Sequence, residues 1–177
     1  MSWVAGIDFS THAVDVVLVD ADGNHPPEWM RTELEGDDAF DRTRRIDNGI
    51  LLEAWWGEVL AIGIEDPRGH NAGALYRVQG AILANLPQQT LVVPWIPSAW
   101  RKAVGLKGNA TKDQVVAFVA DYVAGVCVAR DYDEAWGTVA DLITGTCSPA
   151  VKWPQDACDA YCIALATRDA ITIEAAA

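Results

Sequence analysis

Four acidic residues lie inside or directly beside apolar segments, and this placement constrains the fold more than any other feature. Asp8 lies in the apolar run 3–10, and Glu65 closes a second run over residues 59–65. Each run has the length and composition of a core strand. Because an ionised carboxylate is costly to remove from water, carboxylates in such places need a cation beside them or a raised pKa.

The other two acids stand at the start of a predicted helix over residues 154–166. Pro154 suits the first turn of this helix, and the spacing of three between Asp156 and Asp159 puts both carboxylates on one face. Taken singly, each acid is also explained as a solvated strand end, a helix-cap residue or a surface residue. Taken together, they favour a site for Mg²⁺ or Mn²⁺, because these hard cations prefer oxygen ligands.

The rest of the chain alternates strand-like and helix-like segments. Further strands are predicted over residues 13–19, 28–34 and 90–94. Helices are predicted over residues 37–57, 72–86 and from 111 onward, where Thr111 and Gln114 have the spacing of a capping box. The chain would thus open with two hairpins and continue with a parallel strand–helix–strand crossover.

Composition agrees with a single domain over residues 1–177. The chain is 51% hydrophobic, and no linker-like segment divides it. It has no apolar run that could span a bilayer and no signal-peptide pattern, so a cytoplasmic location without membrane association is expected. The four cysteines are predicted to be free buried thiols rather than zinc ligands; they are Cys127, Cys147, Cys158 and Cys162.

The net charge of −12 hides a strong asymmetry. Residues 67–112 contain no acid but hold six of the 13 basic residues, namely Arg68, Arg77, Arg101, Lys102, Lys107 and Lys112. This segment predicts a DNA-facing side on an otherwise acidic molecule, since phosphate contacts need basic residues. The alternative is an ordinary density of solvated charges.

The order and spacing of the motifs resemble the RuvC family of Holliday-junction resolvases, within the RNase H-like nuclease superfamily. Each motif is weak alone, but the ordered set is fairly specific and covers most of the chain. The motifs are Gly6-Ile7-Asp8, Ile64-Glu65, Asn71 with Gln79-Gly80, residues 97–104, residues 108–115, and Asp156 to Asp159.

The resemblance implies an α/β, RNase H-like fold with a mixed five-stranded sheet flanked by helices, its first three strands antiparallel and the rest parallel. It implies a homodimeric, Mg²⁺-dependent endodeoxyribonuclease that resolves four-way junctions in branched DNA by paired nicks. Two Mg²⁺ ions, replaceable by Mn²⁺, would be held by Asp8, Glu65, Asp156 and Asp159, which are also the implied catalytic residues. Lys112 falls where the family carries a catalytic or phosphate-binding lysine. The predicted DNA-binding residues are Arg68, Arg101, Lys102, Lys107 and Lys112.

Two departures from the family pattern bear on the substrate. The segment after Glu65 is short and lacks the aromatic residue expected to stack on an unpaired base, a part that His70 or Tyr76 could take. Residues 126–152 form a family-atypical insertion. The helix over 72–86 is expected to contribute to the dimer interface. Five of the eight tryptophans either fill the core or contribute to that interface, namely Trp55, Trp56, Trp95, Trp100 and Trp136.

Three other functions remain open at this point. The nearest is an RNase H-like nuclease for flaps, forks or RNA–DNA hybrids. A non-catalytic DNA-binding relative is disfavoured by the presence of all four acids. An actin-like phosphotransferase fragment is suggested by residues 6–11, which resemble a phosphate loop, but the chain is too short for two lobes.

Overall fold

Five strands form one mixed sheet in the part of the chain that the computed structural model describes, which is residues 2–44, 46, 58–69, 72–129 and 155–175. The sheet order is β3-β2-β1-β4-β5. The pairs β1–β2 and β2–β3 are antiparallel, and the pairs β1–β4 and β4–β5 are parallel. This confirms the predicted α/β architecture. The strands are β1 (Trp3–Phe9), β2 (Ala13–Asp20), β3 (Glu28–Glu33), β4 (Val59–Glu65) and β5 (Leu91–Trp95).

Five helices accompany this sheet in the described ranges. The predicted capping box opens α4, where the Thr111 N–H donates to the Gln114 side chain at 2.9 Å and the Gln114 N–H donates to the Thr111 hydroxyl at 3.4 Å. None of these helices is both long and apolar enough to cross a membrane. The helices are α1 (Ala39–Arg44), α2 (Ala72–Ala84), α3 (Pro97–Ala103), α4 (Lys112–Ala129) and α5 (Gln155–Ala175).

Several boundaries differ slightly from the predicted ones. Helix α2 ends two residues early, because the N–H groups of Asn85 and Leu86 bond to carbonyls three residues back and tighten the last turn. Strand β5 lies one residue later than predicted. Of the helix predicted over 37–57, residues 39–44 form α1, residues 37, 38 and 46 are not helical, and the others lie outside the described residues. Most of the segment 126–152, which was predicted to be an insertion, also lies outside the described residues.

The sheet separates two buried clusters, and the alternation of side chains decides which residues share a face. Val4 packs in the cluster that contains α4 and α5, whereas Ala5 and Ile7 pack in the cluster that contains α2. Since successive side chains of a strand point to opposite faces, Gly6 and Asp8 lie on the same face as Val4. The α5 face of the sheet therefore carries Asp8.

Helix α5 lies directly on the backbone of the two central strands. Gly6 of β1 and Gly63 of β4 are register partners. A Cβ added to Gly6 would overlap the Ala160 carbonyl oxygen and the Ala164 backbone nitrogen, and a Cβ added to Gly63 would overlap the Thr167 hydroxyl. Glycine is required at both positions because only hydrogen atoms fit between helix and sheet.

This close approach makes α5 a core element. Every residue from 157 to 167 is buried, and Asp159 is the one charged residue in that stretch. Cys158 and Cys162 are buried within it and form no disulfide in the described part of the chain, as predicted for these two. The burial of the Asp159 carboxylate in this helix calls for a nearby partner group, because ionised side chains are rarely buried without one.

We predict that Gly6→Ala lowers the free energy of unfolding by at least about 1–3 kcal/mol, since the new methyl group meets backbone atoms that cannot move aside easily. Gly125→Ala is the matched control, because Gly125 is exposed in α4 with open space around it. That change should stabilise the protein by about 0.5–1 kcal/mol through helix propensity. Urea unfolding measures both, and equal stability of Gly6→Ala and wild type would contradict the packing described here.

Candidate metal centre

Three carboxylates from opposite ends of the chain converge at one edge of the sheet. One oxygen from each of Asp8, Asp156 and Asp159 lies within 4.8 Å of the other two. Asp8 comes from the end of β1, and the two others come from the first turns of α5. Oxygens bound to one Mg²⁺ at about 2.1 Å lie up to about 4.2 Å apart, so small side-chain movements would let all three share a cation.

Glu65 lies beside this group. It is not one of the three residues whose carboxylate oxygens lie within 4.8 Å of one another. It follows the register pair Ile7 and Ile64, so it ends β4 next to Asp8 on the same sheet face. The indole Nε1 of Trp100 donates a hydrogen bond of 3.3 Å to the Glu65 Oε2 atom. Trp100 is fully buried, so it belongs to the core rather than to an exposed interface.

Asp8, Glu65 and Asp159 are held in a setting that disfavours their charged forms. Burial, followed by the charges of Glu65, Asp159 and Asp156, raises the pKa of Asp8 well above its usual range. Burial raises the pKa of Asp159 to about 6, although Lys112 and Arg101 partly oppose this. Burial also raises the pKa of Glu65. A bound cation would favour the ionised forms of these buried carboxylates.

Two of the predicted basic residues interact with the carboxylates, Lys112 through an ion pair and Arg101 through its charge. The Lys112 Nζ atom lies 3.5 Å from Asp156 Oδ1. The Arg101 guanidinium lies 4.7 Å above the Trp100 ring, and its charge opposes the raised pKa values of Glu65 and Asp159. Within the described chain, the buried Arg101 Nε atom has no hydrogen-bond partner. Both cations therefore lie at the rim of the acidic group.

Among the described residues, the other predicted binding residues form no ion pair with Asp8, Glu65, Asp156 or Asp159. Lys102 and Lys107 are exposed. Arg68 forms an ion pair of 2.6 Å with Asp66, and the exposed Tyr76 donates a hydrogen bond of 3.1 Å to the same carboxylate. His70 and Asn71 lie outside the described residues.

The sequence interpretation missed two charged residues beside the site. Asp15 of β2 is the register partner of Asp8, and Arg31 of β3 is the register partner of Asp15. Arg31 also approaches Asp156, with 3.5 Å between Nη1 and Oδ2. The available signal was Asp15 itself, an acid inside the otherwise apolar strand run 13–19.

Comparison with known proteins decides the fold. No protein-family model and no curated protein sequence matches the chain. Among solved structures, a Thermus thermophilus RuvC structure matches with a TM-score of 0.60 and 20% identity, over 96% of each chain. The same protein in complex with a Holliday junction substrate matches with a TM-score of 0.61 and 18% identity, over 97% of this chain and 96% of that chain. This chain has the RuvC fold.

The stability of the protein should show a characteristic pH dependence in the absence of metal, because of the acidic group at the edge of the sheet. The pKa of Asp159 rises from 3.8 to about 6 on folding, so the folded state binds the proton more tightly than the unfolded state does. Stability is then lost as pH rises from about 4 to about 6, with Asp159 contributing about 3 kcal/mol. Asp159→Asn should remove that part of the loss.

Urea unfolding with chelator at a series of pH values measures this difference between wild type and Asp159→Asn. An equal fall in the free energy of unfolding for both proteins would show that Asp159 ionises normally in the fold.

Proposed function

We propose that this protein is a divalent-metal-dependent endonuclease that cleaves phosphodiesters in branched DNA, with the four-way junction as its substrate. The convergence of Asp8, Asp156 and Asp159, with Glu65 beside them, carries the proposal. The RuvC fold supports it, because one of the matching structures is a RuvC bound to a Holliday junction.

We propose that these carboxylates hold a pair of Mg²⁺ ions, for which Mn²⁺ would substitute. The donor set consists of carboxylate oxygens alone, the type of ligand that these hard cations prefer. Burial is the main cause of the raised pKa values of Asp8, Glu65 and Asp159, and bound cations would stabilise the ionised forms of these side chains. Asp8, Glu65, Asp156 and Asp159 would hold the ions. Bound Mg²⁺ supplies the positive charge that activates water and stabilises the leaving oxygen in phosphodiester hydrolysis.

The chain's own cations would bind the scissile phosphate. Lys112 lies at the rim with a side chain that is 67% exposed, so its ammonium can move from Asp156 to an incoming phosphate. Arg101 is held over the Trp100 ring, and its positive charge acts on Glu65 and Asp159. We propose that Arg68, Lys102 and Lys107 extend this contact along the DNA backbone, which gives affinity without sequence preference.

A homodimer is part of this proposal, because paired nicks across a junction need two active sites related by symmetry. The exposed apolar side chains of Tyr76 and Leu83 on α2 support an interface on that helix. The competing function is an RNase H-like nuclease for flaps, forks or hybrids, which one active site would serve.

Cleavage of a labelled four-way junction tests the metal assignment. Asp8→Asn keeps the size of the side chain but loses its charge, so cleavage should fall at least ~10²-fold while folding and DNA binding persist. EDTA should stop cleavage and leave binding intact. Asp121→Asn, an exposed acid on α4, is the control and should cleave normally. Undiminished cleavage in EDTA would sink the metal assignment.

The substrate is decided by offering a junction, a fork, a flap, a hybrid and a linear duplex in parallel with Mg²⁺. Paired symmetric nicks in the junction are expected. Single nicks confined to flaps, forks or hybrids would instead favour the competing nuclease.

Salt dependence of DNA binding tests the basic residues. Neutralising Arg68, Arg101, Lys102, Lys107 or Lys112 should reduce the slope of log K against log[salt] by about one unit for each lost phosphate contact. Lys112→Ala should also slow cleavage. Arg44→Gln, an exposed residue on α1, should leave the slope unchanged. If neutralising all five leaves the wild-type slope, these side chains face solvent.

A further inference from the structure

Three charged residues form a row across the sheet beside the metal centre. Asp8 pairs in register with Asp15, and Asp15 pairs in register with Arg31. Residues directly opposite on neighbouring strands project to the same face, so all three lie under the start of α5. One end of the row is Asp8, a candidate metal ligand. The other end is Arg31, a cation that has no role in the proposed function so far.

Both carboxylate oxygens of Asp15 accept hydrogen bonds, and one of these bonds anchors Arg31. Its side chain is only 1% exposed. The Trp29 indole donates to its Oδ1 atom at 2.9 Å, and Arg31 Nη1 donates to its Oδ2 atom at 2.7 Å. Because each oxygen already accepts a hydrogen bond, and because Asp15 lies outside the set of oxygens within 4.8 Å, its geometry suits holding Arg31 rather than a metal.

Arg31 is in turn fixed from two sides and faces a metal ligand on the third. Its Nε atom donates to Glu33 at 2.6 Å, in addition to the bond with Asp15. The same Nη1 atom lies 3.5 Å from Asp156 Oδ2. A guanidinium held by two carboxylates has little freedom to leave a third, so it can set the orientation of that carboxylate.

The two oxygens of Asp156 thus have different partners. Oδ2 lies beside Arg31, whose side chain is 28% exposed, and Oδ1 lies beside Lys112, whose side chain is 67% exposed. Lysine on a flexible, solvated stem can withdraw easily, whereas the anchored arginine cannot. One oxygen of Asp156 is therefore held and the other can be freed.

We propose that Arg31 is a positioning residue: anchored by Asp15, it holds Oδ2 of Asp156 and so presents Oδ1 to the cation. The proposal rests on the proposed metal-dependent function and adds a partner that orients one ligand. Groups that orient metal ligands in this way typically account for about 10–100-fold in metal affinity.

Mn²⁺ titration followed by electron paramagnetic resonance tests this without relying on cleavage, since the signal of free aqueous Mn²⁺ is lost on binding. Arg31→Met should weaken Mn²⁺ binding by about 10–100-fold. Arg168→Met is the matched control. Arg168 is an arginine of similar exposure that pairs with Asp169 at 3.0 Å near the far end of α5, and its loss should leave Mn²⁺ affinity unchanged.

The variant Asp15→Asn/Arg31→Met separates positioning from simple charge balance. Arg31→Met alone leaves a buried anion without its cation and can fail to fold. The double variant removes both charges and keeps an acceptor for Trp29. It should fold, as checked by circular dichroism, and still bind Mn²⁺ as weakly as expected for Arg31→Met. Recovery of wild-type affinity would overturn the proposal, because Arg31 would then only neutralise Asp15.

Two further variants separate this proposal from the proposed function. A loss of affinity in Asp15→Asn as large as in Asp8→Asn would also overturn the positioning role, because it would make Asp15 a ligand. One outcome is that wild type binds Mn²⁺, Asp8→Asn does not, and Arg31→Met binds like wild type. That outcome would contradict the role of Arg31 and leave the metal centre supported. If wild type and Asp8→Asn bind Mn²⁺ equally, the metal centre itself is wrong.

Discussion

The contact of α5 with the backbone of β1 and β4 is the constraint on which the rest of the structure depends. Gly6 and Gly63 remove the side chains that would keep the helix away, and Ala160 and Ala164 present only small groups to the strands. A helix this close to a sheet cannot slide or rotate without overlap, because interiors are packed as densely as crystals. The position of its first turns, and of the acids on them, is therefore fixed by packing further along the helix.

This packing assembles a site that is electrostatically unfavourable by itself. Asp8, Glu65 and Asp159 all have raised pKa values, and burial is the main cause for each. The cations at the rim offset only part of this charge. Burial of these carboxylates is an unfavourable interaction that a bound divalent cation would relieve. Functional sites commonly carry such local costs, which the surrounding core must outweigh.

The sequence allowed much of the fold to be predicted, because periodicity and turn chemistry are local properties. The five strands, the capping box at Thr111 and the placement of Asp8, Asp156 and Asp159 together are confirmed. Strand register is not local, so the alignment of Asp15 with Asp8 and Arg31 escaped notice. The bond from Trp100 to Glu65 joins distant parts of the sequence and depends on tertiary contacts in the same way. With identities of 18–20% to the matching structures, side-chain roles rest on geometry rather than on relatives.

The most direct measurement of the central claim is a crystal structure of the protein grown with Mn²⁺, with anomalous difference density collected at the manganese edge. The account predicts a peak within bonding distance of Asp8 and of at least one of the two aspartates of α5, with α5 still seated on Gly6 and Gly63. Manganese bound only elsewhere, with these carboxylates free of metal, would contradict it.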